Sequence, residues 1–293
     1  MARTSPSTVT ASPAASSPRD LLAPGGLCVI HQPNLFPRLT TLAKLFAADY
    51  WIVLDDVQFA RRDYQHRARL AALDDPARQQ WLTIPAHLPD GRPTLIRDVL
   101  IDDAVRARRR TRGMLRQHYG NSPHWPSLAR ALGPVLDAFA TGRTATVAEM
   151  STRVLLDLLG WQGHIFSSSR LAARPGRSQR LADLAATTGA GAYLCGTGGL
   201  TYLDPLPFTD HGIGVLPFQV PTVGLWQRAR SLSAAHPLML LGPERLGAEL
   251  RDIASRHRRR MHSPPDDASV SGGGGHDGGR NHPRPHRELW STA

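Results

Sequence analysis

The strongest constraint in the chain is a pair of short apolar runs, Leu27-Cys28-Val29-Ile30 and Tyr50-Trp51-Ile52-Val53-Leu54, each stopped by a polar cluster. Runs of this length without polar alternation read as strands buried on both faces, as in parallel sheets. Between them Leu42, Leu45 and Phe46 fall at helical spacing within residues 40–49, with Lys44 turned away from that stripe. Strand, helix and strand in this order make a right-handed crossover, so the strand ends at His31 and Asp55 leave the sheet at one edge. The clusters His31-Gln32-Pro33-Asn34 and Asp55-Asp56-Val57-Gln58 therefore converge on one crevice, beside a helix N-terminus expected to favour an anion.

Further along, residues 61–70 alternate cations with Tyr64 and read as a solvated helix face. Residues 80–85 read as a third strand ended by Pro85, and 93–100 as an extended connection. A helix with a basic outer surface is expected over 102–119. Two more, over 128–140 and 145–159, are joined at Thr141-Gly142 and suggest a helical insert or lid. Strand character returns at 163–167, 192–195 and 213–218. The Ser/Arg-rich stretch Ser167 to Arg180 opens a helix over 177–189 and suits phosphate or carboxylate, with a plain capped helix as the alternative. Gly196, Gly198 and Gly199 allow close backbone approach to a ligand or form only a tight turn. A closing helix is expected over 232–250. The expected fold is α/β, a predominantly parallel Rossmann-like sheet with flanking helices and a helical insert near 102–160. One domain spans 27–254, between tails at 1–26 and 255–293 whose Ser/Pro-rich and Gly/His/Pro-rich compositions predict disorder.

The formal net charge of +11 raises the question of nucleic acid, but of 35 basic residues only Lys44 is a lysine. That bias fits a general drift to arginine better than a built phosphate track, so a small-molecule or sugar substrate is expected and nucleic acid is not. The oligomeric state is open. The two cysteines, Cys28 and Cys195, are too few for a disulfide scaffold or a zinc site built on C-x2-C pairs, and a cytoplasmic location is expected. No apolar stretch approaches the roughly 20 residues of a membrane span, so no membrane insertion is expected. H-E-x-x-H and G-x-S-x-G are both missing, so neither a zinc enzyme nor a classical serine hydrolase is expected, and no metal-ligating residues are named.

The series resembles the WbqC-like protein family, associated with bacterial surface-glycan and secondary-metabolite biosynthesis. The resemblance is carried by His31, Gln32, Pro33, Pro37 and Lys44, then by Asp55 to Phe59 with Arg61 and Arg62. Trp81, Leu82, Thr83 and Pro85 follow, then Ser168, Ser169, Arg177, Ser178, Arg180 and Leu181, and last Gly196, Gly198, Gly199, Tyr202, Leu203 and Asp204. The chain departs from the family pattern at Thr40 to Ala43, at Ala68 where an asparagine is usual, and at Cys195 where serine is common, which argues against Cys195 as an obligate nucleophile.

The resemblance implies an enzyme, an acyl or aminoacyl (glycine-type) transferase or an ATP-dependent amide-forming enzyme acting on an amino sugar or secondary-metabolite amine. A nucleotidyl-transferring or sugar-nucleotide enzyme and a non-catalytic small-ligand-binding protein are the alternatives. His31, Lys44, Asp55 and Asp56 are the candidate catalytic residues. Gln32, Asn34, Gln58, Arg61, Arg67, Arg69, Thr83, Ser168, Ser169, Arg177, Ser178, Arg180, Gly196, Gly198, Gly199, Tyr202 and Asp204 are the candidate substrate contacts. By analogy with nucleotide-using α/β enzymes, ATP with Mg2+ is a possible cofactor: His31 and Asn34 would contact phosphates, Lys44 and Arg177 would neutralise developing charge, and Asp55 or Asp56 would hold the acceptor or the metal.

Overall fold

A computed structural model describes residues 25–262; the expected disorder at 1–24 and 263–293 lies outside these described residues. The chain runs from β1 (Leu27–His31) through α1 (Leu39–Ala47) to β2 (Tyr50–Val53). Two small antiparallel pairs follow, β3 (Arg67–Ala71) with β4 (Gln79–Thr83) and β5 (Ala86–His87) with β6 (Leu100–Ile101). Helices α2 (Ala104–Tyr119), α3 (Trp125–Ala131), α4 (Gly133–Ala138) and α5 (Thr144–Leu158) lead to β7 (His164–Ser167). After α6 (Arg177–Thr187) and β8 (Ala192–Gly196) come the short helices α7 (Thr197–Leu200) and α8 (Leu206–Asp210), then β9 (Gly214–Phe218) and α9 (Ala235–His262).

Five strands form one wholly parallel sheet in the order β7-β2-β1-β8-β9. Numbered by their appearance in this sheet, they stand third, second, first, fourth and fifth, which is the doubly wound order with its switch point between β1 and β8. Alternation along each strand divides the core between the two faces. Val29, Trp51, Val53 and Leu194 pack beneath α1, α5 and α9, while Cys28, Ile30, Ile52 and Tyr193 pack with Ala182, Leu184 and Phe208 of α6 and α8. Trp51 is fully buried at the centre of the first layer.

Four sequence expectations change. Residues 61–70 are turns leading into β3 and not a helix face: Ala68 and Leu70 point inward and Arg67 and Arg69 outward, at period two. The strand at 80–85 exists but belongs to this hairpin rather than to the parallel sheet. The helical segment over 128–159 is no lid, because Val147, Ala148, Leu155 and Leu156 are buried core and Phe36 N–H donates to Ser151 Oγ at 2.8 Å. The last helix continues past Ser255 to His262 because His257 is buried and Arg258 reaches Asp49 at 2.6 Å. That helix is broken at Gly242 (φ 81°), immediately before Pro243.

Candidate functional site

The strand registers set the ends of the sheet level. His31 pairs with Val53, Val53 with Ser167 and Gly196 with Phe218. β1 and β8 pair at Leu27 with Ala192 and Cys28 with Tyr193, so His31 and Gly196 stand three residues further on at the ends of these neighbouring strands. These two residues flank the switch point, where the crossovers leave to opposite faces, which is the place at which doubly wound folds bind ligands. Lys44 reaches the same place from α1, its Nζ 3.6 Å from where a Cβ on Gly196 would stand.

His31 Nδ1 lies 2.8 Å from the carbonyl oxygen of Gln32. A carbonyl can only accept, so Nδ1 carries the proton and Nε2 keeps its lone pair. Burial pushes the imidazole pKa down to about 3, and the Lys44 ammonium and Arg38 guanidinium push the same way. The ring is thus neutral at physiological pH. Its backbone is fixed as well, since the His31 carbonyl accepts from Trp51 Nε1 at 3.2 Å and from Leu54 N–H at 3.0 Å.

Asp55 and Asp56 leave β2 next to the end of β7 and meet Ser168 and Ser169. The single Ser168 hydroxyl proton faces Asp55 Oδ1 at 3.1 Å and Asp56 Oδ1 more closely, while its oxygen accepts Asp55 N–H at 3.2 Å. Ser169 donates to Asp55 from its backbone N–H at 3.1 Å and from its hydroxyl at 2.8 Å. Arg180 of α6 pairs with Asp56 Oδ2 at 2.6 Å. Asp55 also borders an open depression with Arg97, Asp98, Arg143 and Glu149. The acidic pair thus stands inside a hydrogen-bonded junction of β2, β7 and α6.

Arg177, Ser178, Tyr202 and Asp204 form a second group. The Arg177 guanidinium stands 5.8 Å from the Tyr202 ring centroid, and Ser178 Oγ accepts Asp204 N–H at 2.9 Å. Gly196 caps the N-terminus of α7 and Gly198 and Gly199 lie within that helix, where a Cβ on Gly199 would come 2.9 Å from Cys195 Sγ, so that a larger residue requires this side chain to shift. Of the remaining candidates, Gln32 Oε1 accepts from Gln65 Nε2 at 2.7 Å and Gln58 donates to the Arg92 carbonyl at 2.6 Å. Arg61 is exposed, and Thr83 sits opposite Arg67 in the hairpin.

Two parts of the nucleotide-corner expectation do not fit. Asn34 is only 3% exposed, with its carbonyl accepting from Thr152 Oγ1 at 2.9 Å, so it is core and not a phosphate contact. The first amides of α1 are occupied by protein carbonyls, Leu39 N–H by Leu232 at 3.3 Å and Thr40 N–H by Ala229 at 3.1 Å. An anion at that helix end would find these two amides already taken. Among the described residues no three His, Cys, Asp or Glu side chains are grouped to hold a metal ion.

Sequence reasoning did not bring Arg38, Tyr64 and Trp81 together. Arg38 stands over the Tyr64 ring at 4.1 Å, and the Tyr64 and Trp81 rings are 5.7 Å apart. Arg67 and Arg69 lie 4.4 and 4.5 Å from the Trp81 centroid. An aromatic at each end of an Arg-rich hairpin is the signal that could have marked them.

The model of the WbqC-like protein family matches residues 32–244, a span that holds the strand-end residues from Gln32 onward and both loop groups. The chain belongs to that family. Within it, this WbqC-like protein is 25% identical over 189 residues to the uncharacterized protein Rv1507c of Mycobacterium tuberculosis (strain ATCC 25618 / H37Rv), covering 64% of this chain and 80% of the relative. No solved structure gives a significant match. No helix among the described residues of the WbqC-like protein is long and apolar enough to cross a membrane. Its cysteines are buried, and burial pushes the Cys28 thiol up to about 12 and raises that of Cys195 despite the Lys44 charge nearby.

Proposed function

We propose that this WbqC-like protein is a transferase that moves an acyl or aminoacyl group, of the glycine type, from a preactivated ester or thioester to the amine of a sugar or secondary metabolite. The observation that supports this reading is the neutral His31 at the end of β1, its Nε2 unprotonated, with the Lys44 ammonium close enough to depress its pKa and placed near Gly196. Acyl transfer to an amine needs those two functions. The amine nitrogen attacks the donor carbonyl carbon, and its surplus proton passes to Nε2. The oxygen that gains negative charge is stabilised by the Lys44 ammonium. The carbon–oxygen or carbon–sulfur bond of the donor then breaks, and the proton moves from the imidazolium to the leaving group. An imidazolium of such low pKa does not retain a proton, so His31 acts as a relay and the acceptor must arrive as a neutral amine. A preactivated donor is favoured over activation by ATP because the first two α1 amides are already bonded and the Asp55 and Asp56 carboxylates are engaged by Ser168, Ser169 and Arg180.

The test is to incubate the purified full chain with a glycyl thioester and a panel of amino sugars, and to read the product mass. Gain of a glycyl group, lost in His31→Ala and Lys44→Met while the acceptor still binds, is the expected result. A nucleotide-sized mass gain with nucleoside triphosphates, or undiminished turnover in both variants, would overturn the reading.

A further inference from the structure

The geometry points to a second binding site on this molecule, a cradle for the phosphate groups of a diphosphate-bearing small molecule, formed by Arg38, Arg67 and Arg69 on the Tyr64–Trp81 ring pair. The guanidiniums of Arg67 and Arg69 stand over one indole, and that of Arg38 over the phenol beside it. Their remaining fixings are neutral oxygens. Arg38 donates to the Arg230 carbonyl at 3.1 Å, Arg67 to the carbonyls of Asp63 at 3.3 Å and of Arg62, and Arg69 to Gln79 Oε1 at 3.3 Å. Among the described residues none of the three is ion-paired with a carboxylate, whereas Arg78, Arg153, Arg174 and Arg180 each are. Arg38 Nε is moreover buried without a hydrogen-bond partner.

Three cations gathered on adjoining rings repel one another, and the rings compensate only part of that cost. Stacking holds each guanidinium in place while leaving N–H donors of its planar fork unused, which is the arrangement that binds phosphate oxygens at two points. The solvated arginines of α2, such as Arg109, lack this support. The arginines extend from the β3–β4 hairpin to Arg38, whose charge is felt at His31, so the row suits more than one phosphate and leads toward the strand edge.

The experiment is calorimetric titration of the full chain with inorganic pyrophosphate and with orthophosphate, with Trp81 fluorescence as a second readout. Pyrophosphate should bind more tightly than orthophosphate and change the fluorescence. Arg69→Gln and Arg38→Gln should each weaken it about tenfold, the loss of one or two charge-assisted hydrogen bonds. Arg67→Lys, which keeps the charge and the fold but not the planar fork, should also weaken it, and Arg109→Gln should leave it unchanged. Equal weakening by Arg109→Gln would reduce the effect to net charge and overturn the site. So would wild-type affinity in the Arg38, Arg67 and Arg69 variants, or binding of a single-stranded oligonucleotide with none of pyrophosphate. Because the readout is binding, it stands or falls apart from the acyl-transfer reaction.

Discussion

Arg180 grips Asp56 across the junction of α6 and β2, with 2.6 Å between its Nη2 and the carboxylate Oδ2. Both side chains are largely shielded from water, so removing one charge strands the other. Asp56→Asn should destabilise the fold by about 1–2 kcal/mol, between the values typical of exposed and of fully buried pairs. A urea titration of Asp56→Asn, Arg180→Met and the double variant checks this. The double variant should recover part of the loss, and strict additivity would mean that the pair does not couple.

His31 makes stability depend on pH. Its native pKa is about 3 and its unfolded value is the ordinary 6.5, so between those limits the unfolded chain binds the extra proton. Stability should therefore be highest above pH 6.5 and decline as the pH falls toward 3, by up to about 1.4 kcal/mol per unit from this group alone. His236 and His257, also held below their ordinary range by burial, act with the same sign. Between pH 4 and 7, values chosen to span this window, the unfolding midpoint of the wild type should fall more steeply toward acid than that of His31→Asn.

Turnover should show the same depressed basicity. With His31 neutral throughout the accessible range, the acid limb of kcat should follow deprotonation of the acceptor amine and shift when an amine of different pKa is supplied. A limb fixed near 6.5 with every acceptor would contradict the His31 environment described above.

At Gly242 the chain has φ 81°, and a Cβ there would come within 2.5 Å of the His124 ring. Gly242→Ala should cost more than about 1 kcal/mol, from backbone strain together with the clash. Combining it with His124→Ala relieves the clash alone, so thermal denaturation of the pair should show partial recovery.

Cys28 and Cys195 should resist alkylation in the native protein at neutral pH and react on unfolding, because both are buried and their thiols are held in the protonated form. Mass spectrometry after iodoacetamide treatment, with and without denaturant, reads this directly.

The parallel sheet was legible because β1 and β2 carry unbroken apolar runs and end in His31 and Asp55, where polarity changes within one residue. The β3–β4 hairpin was not, since Arg67-Ala68-Arg69-Leu70 alternates cations with small inward residues and owes its form to Trp81 on the facing strand. The extension of α9 was hidden for a similar reason: Arg256 to Arg260 resembles a solvated tail until Asp49, Asp252 and Gln219 are brought to it. In the site, strand-end residues could be read from the chain because topology alone places them. The occupied α1 amides and Arg38 depend on residues 229–232, whose position no local pattern announces.

The doubly wound strand order has a consequence for how the molecule reaches its native state. The first strand, β1, lies at the middle of the sheet, and its neighbour β8 is contributed only after the whole helical insert. Cys28 must wait for Tyr193. A chain emerging from the ribosome can close β1, α1 and β2 early, but the half-crevice so formed has an unpaired edge until residues 192–196 arrive. Such long-range parallel closure is slow compared with local contacts, so folding intermediates should present that β1 edge to solvent and to other chains.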